Sequence, residues 1–254
     1  MKQIPNIFTL LNLLFGCLAI VAVLQNGIII NVNAEGREYL DIPEQIWLAS
    51  LFIGIAAVVD FLDGFVARLF KATSEMGKQL DSLADVVSFG VAPGMIIYQF
   101  LRLSFAQQEG GLDVSMGWLL PAFILPCAAA WRLARFNLDS SQTYYFKGMP
   151  VPAAGILVAS LPLIYWNVNE AWVYTLLHDK WFLYGIVLLL SWLMVSSLPL
   201  MAMKFRDYSV KNNLPRYLLI LIAVLALVLM KWLAVPVIVM AYVLLSLLFK
   251  NKIA

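Results

Sequence analysis

Histidine occurs once, at His178, and cysteine twice, at Cys17 and Cys127. One histidine leaves no room for a histidine-based metal centre or triad, and His178 with its neighbours reads as loop. The two cysteines lie far apart in apolar runs, so neither zinc spacing nor a disulfide framework is visible. Charge is scarce as well. Asp, Glu, Lys and Arg make up 13% of the chain, and seventeen basic against fifteen acidic residues leave a net charge of +2. That balance offers no basis for a nucleic-acid partner. No long polar linker, internal repeat or low-complexity tract divides the chain.

Apolar residues are what the chain has in excess, 63% of the total with a mean hydropathy of +0.87, far above soluble usage. At about 20 residues per crossing, the apolar runs predict an all-α integral membrane protein of about eight transmembrane helices. They fall near 7–31, 46–70, 79–104, 116–138, 150–167, 182–204, 215–230 and 233–249. The whole chain, 1–254, reads as a single membrane domain. Leu14-Phe15-Gly16-Cys17 superficially resembles a lipoprotein cleavage site, but Phe15 is bulky there and the apolar run continues past Cys17, so the first span is expected to be retained. With the N-terminus inside, thirteen of the seventeen basic residues fall on the inner side and only Arg37, Arg102, Lys180 and Lys231 outside. This positive-inside bias predicts two cytoplasmic termini.

Residues 60–85, DFLDGFVARLFKATSEMGKQLDSLAD, place four carboxylates within these apolar runs. An ionised side chain in a membrane-spanning helix costs roughly 2.5–3.5 kcal/mol, so four in one hairpin need compensation. Asp60, Asp63, Gly64, Ala67 and Arg68 share one helix face. Asp81 and Asp85 sit i, i+4 on the next helix, with Ser88 continuing their stripe and Gly77 one turn before it. A short basic link from Lys71 to Lys78 lets the helices pack antiparallel, bringing the acids together near the cytoplasmic surface. An all-oxygen set suits two hard divalent cations, Mg²⁺ or Mn²⁺, clamped as in many phosphoryl-transfer sites. Gly64 and Ala67 leave the face bare for a bulky group, and Arg68 offers a planar fork to phosphate oxygens. Isolated Asp-x-x-Asp pairs usually mark a solvated face, but the flanks IAAVVD and LADVVSFGV are apolar. Gly64 and Gly77 also read as helix-packing positions.

The spacing D-x2-D-G-x2-A-R-x8-G-x3-D-x3-D runs from Asp60 to Asp85 without a departure. It resembles the signature of the CDP-alcohol phosphotransferases, integral membrane enzymes of phospholipid synthesis. Four more segments resemble the branch of that family whose acceptor is serine: IPNIFTLLN from Ile4, SFGVAP from Ser88, RLARFN from Arg132 and FKGMPVP from Phe146. The similarity covers residues 1–155 in pieces, making these the catalytic helices and 156–254 additional transmembrane helices.

The resemblance implies transfer of the phosphatidyl group from CDP-diacylglycerol to L-serine, with release of CMP. It implies two divalent ions on Asp60, Asp63, Asp81 and Asp85, with Asp81 and Asp85 catalytic and Asp85 the general base. Asn6, Thr9 and Asn12 from the first helix, and Gly64, Ala67, Arg68, Ser74 and Gly77 from the hairpin, would bind the donor. It further implies a homodimer in the cytoplasmic membrane of a prokaryote, with the active site facing the cytoplasm. Serine carries a carboxylate and an ammonium, so its pocket draws on Ser88, Arg132, Arg135, Asn137 and Lys147, among which the sequence does not choose. Plainer readings stand beside these: Asn12 as helix–helix glue, Ser88–Pro93 as a tolerated helix distortion, and Arg132 and Arg135 as inner-face anchors. The same chemistry on glycerol phosphate, inositol phosphate or an ether-lipid donor stays open. A divalent-cation transporter is the alternative from another class, though transporters often carry paired repeats and the acids here sit in one hairpin.

Overall fold

A computed structural model describes residues 4–32, 35–69, 74–108, 110–139, 145–203 and 209–250. Helix α1 (Ile4–Gln25) is followed by a hairpin of β1 (Ile29–Val32) and β2 (Glu38–Asp41), then by α2 (Trp47–Leu69). Helix α3 (Glu75–Asp85) continues through a π-helical turn, Val86–Val91, into α4 (Ala92–Ala106). Next come α5 (Ile124–Leu138), β3 (Tyr145–Lys147), α6 (Val151–Asn167), α7 (Ala171–Leu177) and α8 (Lys180–Val195). Strand β4 (Pro199–Met201) pairs antiparallel with β3 and leads to α9 (Val210–Met230) and α10 (Ala234–Leu248).

Each of the eight expected apolar runs carries a helix, so the chain is an all-α integral membrane protein in its bulk. Among the described residues, four stretches are long and apolar enough to cross a membrane: Pro5–Gln25, Glu44–Val66, Glu75–Ala106 and Asn212–Leu248. The pair α7–α8, bent by 70°, makes a fifth if it is one span. Helix α6, with 17 residues, rises only about 26 Å against a hydrocarbon layer of about 30 Å. The Asn212–Leu248 stretch is not one rod. Lys231, at φ +46°, breaks it, and both far ends return to β4: Arg216 Nε donates to the Ala202 carbonyl at 3.0 Å and Tyr242 Oη to the Met201 carbonyl at 3.0 Å. α9 and α10 therefore pack antiparallel.

Several boundaries differ from the hydropathy reading for local reasons. α1 stops at Gln25, because Asn26 and Gly27 lead into a strand, and the apolar Ile28–Ile30 that lengthened the run belongs to that turn and β1. Residues 116–123 form 3₁₀ turns around Pro121 before α5 begins. α8 ends at Val195, and Pro199–Met201 is drawn into pairing with β3. Seven tryptophans are exposed among the described residues: Trp47, Trp118, Trp172, Trp181 and Trp232 near helix ends away from the aspartates, and Trp131 and Trp192 within α5 and α8.

At the π-helical turn two neighbouring helices approach closely. A Cβ on Gly16 of α1 would lie 2.8 Å from the Ser88 Cα, and one on Gly155 of α6 would lie 2.9 Å from the Phe89 Cα. Phe89, Phe100, Ile53 and Leu125 are fully buried around this crossing. Small residues at such contacts let backbones approach where lipid supplies no hydrophobic drive between helices. Gly16→Ala should force α1 off the π turn and lower stability by about 1–3 kcal/mol. Thermal unfolding in detergent checks this, and a midpoint equal to wild type would contradict the close-packing account.

Candidate active site

Helix α2 brings Asp60 and Asp63 towards its C-terminal end, and α3 starts nearby with Asp81 and Asp85 on its second and third turns. Ser74 caps α3, its Oγ accepting the Gly77 backbone N–H at 2.9 Å, which satisfies one of the helix's free donors. The link 70–73 lies outside the described residues. From Glu75 to Ala106 the helix is 32 residues long, about 48 Å. That exceeds the hydrocarbon layer of about 30 Å, and both α3 aspartates sit within its first three turns.

The carboxylates of Asp60, Asp81 and Asp85 meet there, with one oxygen from each within 4.8 Å of the others. Like charges about 4 Å apart repel by roughly 1 kcal/mol in water and about 4 kcal/mol at an effective dielectric of 20. A hard divalent cation answers that repulsion, and the donor set fits one: all oxygen, anionic and close enough to share an octahedral ion with small side-chain rotations. Asp63 is not part of this trio. It is buried and accepts a hydrogen bond from the Thr9 hydroxyl of α1. Asp85, also buried, accepts from Asn12 Nδ2 at 3.1 Å.

All four aspartates line one cavity of about 800 Å³. Of the residues read as donor contacts, Asn6, Thr9, Gly64, Arg68, Ser74 and Gly77 line it too. A Cβ on Gly64 would meet nothing nearer than the Arg68 guanidinium at 3.8 Å, so this face of α2 is open. Asn12 is fully buried behind the lining. The side chain of Ala67 lies outside the described residues.

The residues read as acceptor contacts divide. Arg132 and Asn137 line the cavity; Ser88, Arg135 and Lys147 do not. Ser88 Oγ donates to the Asn12 carbonyl at 2.9 Å, tying the π turn to α1. Arg135 donates to the carbonyls of Val195, Ser196 and Lys147 at 2.8, 2.7 and 3.3 Å. It thereby closes the end of α8 onto β3. Lys147 pairs with Asp139 at 2.7 Å, which holds its ammonium above the usual lysine range.

Arg132 is different. It is buried, its guanidinium lies 5.0 Å from the Phe136 ring centre and 5.8 Å from that of Phe146, and its Nε has no partner. Stacking on two aromatic rings favours the cation while leaving donors for an anion. Sequence reasoning missed Phe136 and Phe146, although both lie in segments it singled out, and it missed Lys78 and Ser82. Lys78 Nζ donates to the Asn137 carbonyl, and Asn137 Nδ2 to Ser82 Oγ, both at 2.8 Å, joining α3 to α5. Their positions beside Gly77 and Asp81 were the available signal.

Known proteins resemble the chain that carries this site. A family model described as CDP-alcohol phosphatidyltransferase matches residues 2–203, leaving α9 and α10 beyond it. The chain is 33% identical over 221 residues to a Helicobacter pylori protein named CDP-diacylglycerol–serine O-phosphatidyltransferase, covering 86% of this chain and 78% of that protein. A Mycobacterium tuberculosis protein of the same name is 34% identical over 203 residues, which cover 76% of this chain and just 65% of that protein. One from Bacillus subtilis is 33% identical over 171 residues, covering 65% and 78% respectively.

If the aspartate trio takes a divalent ion, Mn²⁺ should raise the thermal midpoint of the purified protein. Binding at a hundred times Kd adds about 2.7 kcal/mol. Asp81→Ala should lose most of that gain, read by melting with and without EDTA. An equal Mn²⁺ shift in the variant would place the ion elsewhere.

Proposed function

This chain belongs to the CDP-alcohol phosphatidyltransferase family, and from that premise we propose that it transfers the phosphatidyl group of CDP-diacylglycerol to L-serine, giving phosphatidylserine and CMP. The observation that carries the reading is one cavity holding both an aspartate cluster and a buried arginine with unengaged donors. The first suits a diphosphate with its cations, the second a small anionic acceptor. The names of the relatives support the same donor and acceptor.

In this reading the eight apolar helices span the membrane, and both termini and the cavity face the cytoplasm. The positive-inside bias supports that orientation. The donor keeps its acyl chains in the bilayer while its cytidine diphosphate enters beside the open face of Gly64. Arg68, exposed on α2, offers its fork to the phosphates, and Asn6, Ser74 and Gly77 line the same side. Two divalent ions, Mg²⁺ or Mn²⁺, on Asp60, Asp81 and Asp85 with Asp63 alongside, would neutralise the diphosphate and the charge on departing CMP. Arg132 takes the serine carboxylate, because Arg135 and Lys147 are engaged elsewhere. Asp85 accepts the serine hydroxyl proton as that oxygen bonds to the lipid-bearing phosphorus. The bond from this phosphorus to the bridging oxygen breaks, and CMP leaves with the electron pair. No covalent enzyme intermediate is needed. A homodimer is expected as in the family resemblance.

The test uses purified protein in detergent–lipid micelles with Mn²⁺, CDP-diacylglycerol and radiolabelled L-serine. Lipid-extractable label and CMP should appear in equal amounts and vanish with EDTA. Asp85→Asn should cut turnover by roughly 10²–10⁴-fold, the usual scale for a general base. Arg132→Ala should raise the KM for serine about 10–100-fold, the worth of a charged hydrogen bond. CMP release only with another alcohol would keep the family and change the acceptor. No CMP with any acceptor, together with Mn²⁺ uptake into liposomes, would favour transport.

A further inference from the structure

Asn12 lies about one turn after Thr9 on α1, 0% exposed and outside the cavity lining. It makes no contact available to a donor lipid. Its Nδ2 donates to Asp85 Oδ1 at 3.1 Å, while its own Oδ1 is buried without a partner. Turning the amide over would set oxygen against oxygen, so Asp85 decides its orientation. A buried acceptor left unpaired costs roughly 1–3 kcal/mol, and leucine would fill the same volume without that cost. The main chain at this point is also fixed. Its carbonyl accepts the Ser88 hydroxyl at 2.9 Å, and bare Gly16, one turn on, lets α1 sit against the π turn that follows Asp85.

We propose that Asn12 is a positioning residue for Asp85. Its amide ties one carboxylate oxygen and stops rotation of the group. The other oxygen is left to serve the cluster with Asp60 and Asp81 and to take the acceptor's proton. This assigns Asn12 to the orientation of the aspartate site and not to donor binding, and it rests on the proposed reaction only for its kinetic consequence. Groups that orient a metal-binding carboxylate are typically worth 10–100-fold in affinity or activity.

Asn12→Leu keeps about the same volume and removes the donor; Asn12→Ala removes the side chain altogether. Mn²⁺ binding, followed by electron paramagnetic resonance without substrate, should weaken about tenfold or more in both. Turnover should fall by a similar factor, with the KM for CDP-diacylglycerol within about twofold of wild type. Ser88→Ala, which loosens the same helix contact without touching the Asn12–Asp85 bond, controls for a merely structural effect and should bind Mn²⁺ as wild type does. Wild-type Mn²⁺ affinity and turnover in Asn12→Leu would overturn the assignment. So would a change confined to the KM for CDP-diacylglycerol, or an equal loss of Mn²⁺ binding in Ser88→Ala. Because the titration needs no substrate, failure of wild type to label lipid from serine would count against the reaction alone.

Discussion

Like-charge repulsion among carboxylates at the end of an apolar bundle is the condition that the surrounding structure answers. Asp60, Asp81 and Asp85 are brought within 4.8 Å of one another by the C-terminal part of α2 and the first three turns of α3. Nothing in the hydropathy of those helices favours this meeting. It is imposed by packing at the other side of the site, where glycines on α1 and α6 let both helices close onto the π turn directly after Asp85. The π turn widens the helix by one residue at the point where it must both present Asp85 and receive two neighbours. Such insertions occur frequently at functional sites. The bundle thus holds a locally unfavourable arrangement that a divalent ligand would relieve.

Helix α1 has a second part in this. Thr9 and Asn12, three residues apart, face different partners: Thr9 bonds Asp63 of α2, and Asn12 bonds Asp85 of α3. One helix therefore holds a carboxylate on each arm of the aspartate hairpin. On the far wall, Arg135 and Gly148 fasten β3 to the end of α8. Gly148 has φ +80° and no room for a Cβ beside the Met194 carbonyl. That fastening sets Phe146 against Arg132. Two arginines three residues apart, alike in sequence, have come to differ in role through what lies opposite each of them.

Much of this was legible beforehand, and the reasons differ by level. The aspartate spacing encodes helix faces directly, so the convergence of three acids followed from periodicity once the helices were antiparallel. Asp63 stood apart because a hydroxyl from a third helix claimed it, which no spacing within 60–85 expresses. The division among Arg132, Arg135 and Lys147 was invisible for the same reason: their partners are carbonyls and rings distant in sequence. Hydropathy located a helix in each of the eight apolar runs but missed α7 (Ala171–Leu177), whose residues, with His178 closing the helix, read as loop. It also ran through Ile28–Ile30 and Leu198–Met201, where apolar residues belong to turns and strands. The break at Lys231 was legible as the gap between the last two apolar runs, whereas the backbone turn that makes it, at φ +46°, was not.

The central claim is that Asp60, Asp81 and Asp85 form the divalent-metal part of a nucleotide-diphosphate site. Anomalous diffraction at the manganese edge, from crystals grown with Mn²⁺ and CDP-diacylglycerol, tests it most directly. The account predicts an anomalous peak among these three carboxylates, with diphosphate density beside it in the same cavity. Diphosphate density with no manganese at the trio, or manganese bound only elsewhere in the bundle, would contradict it.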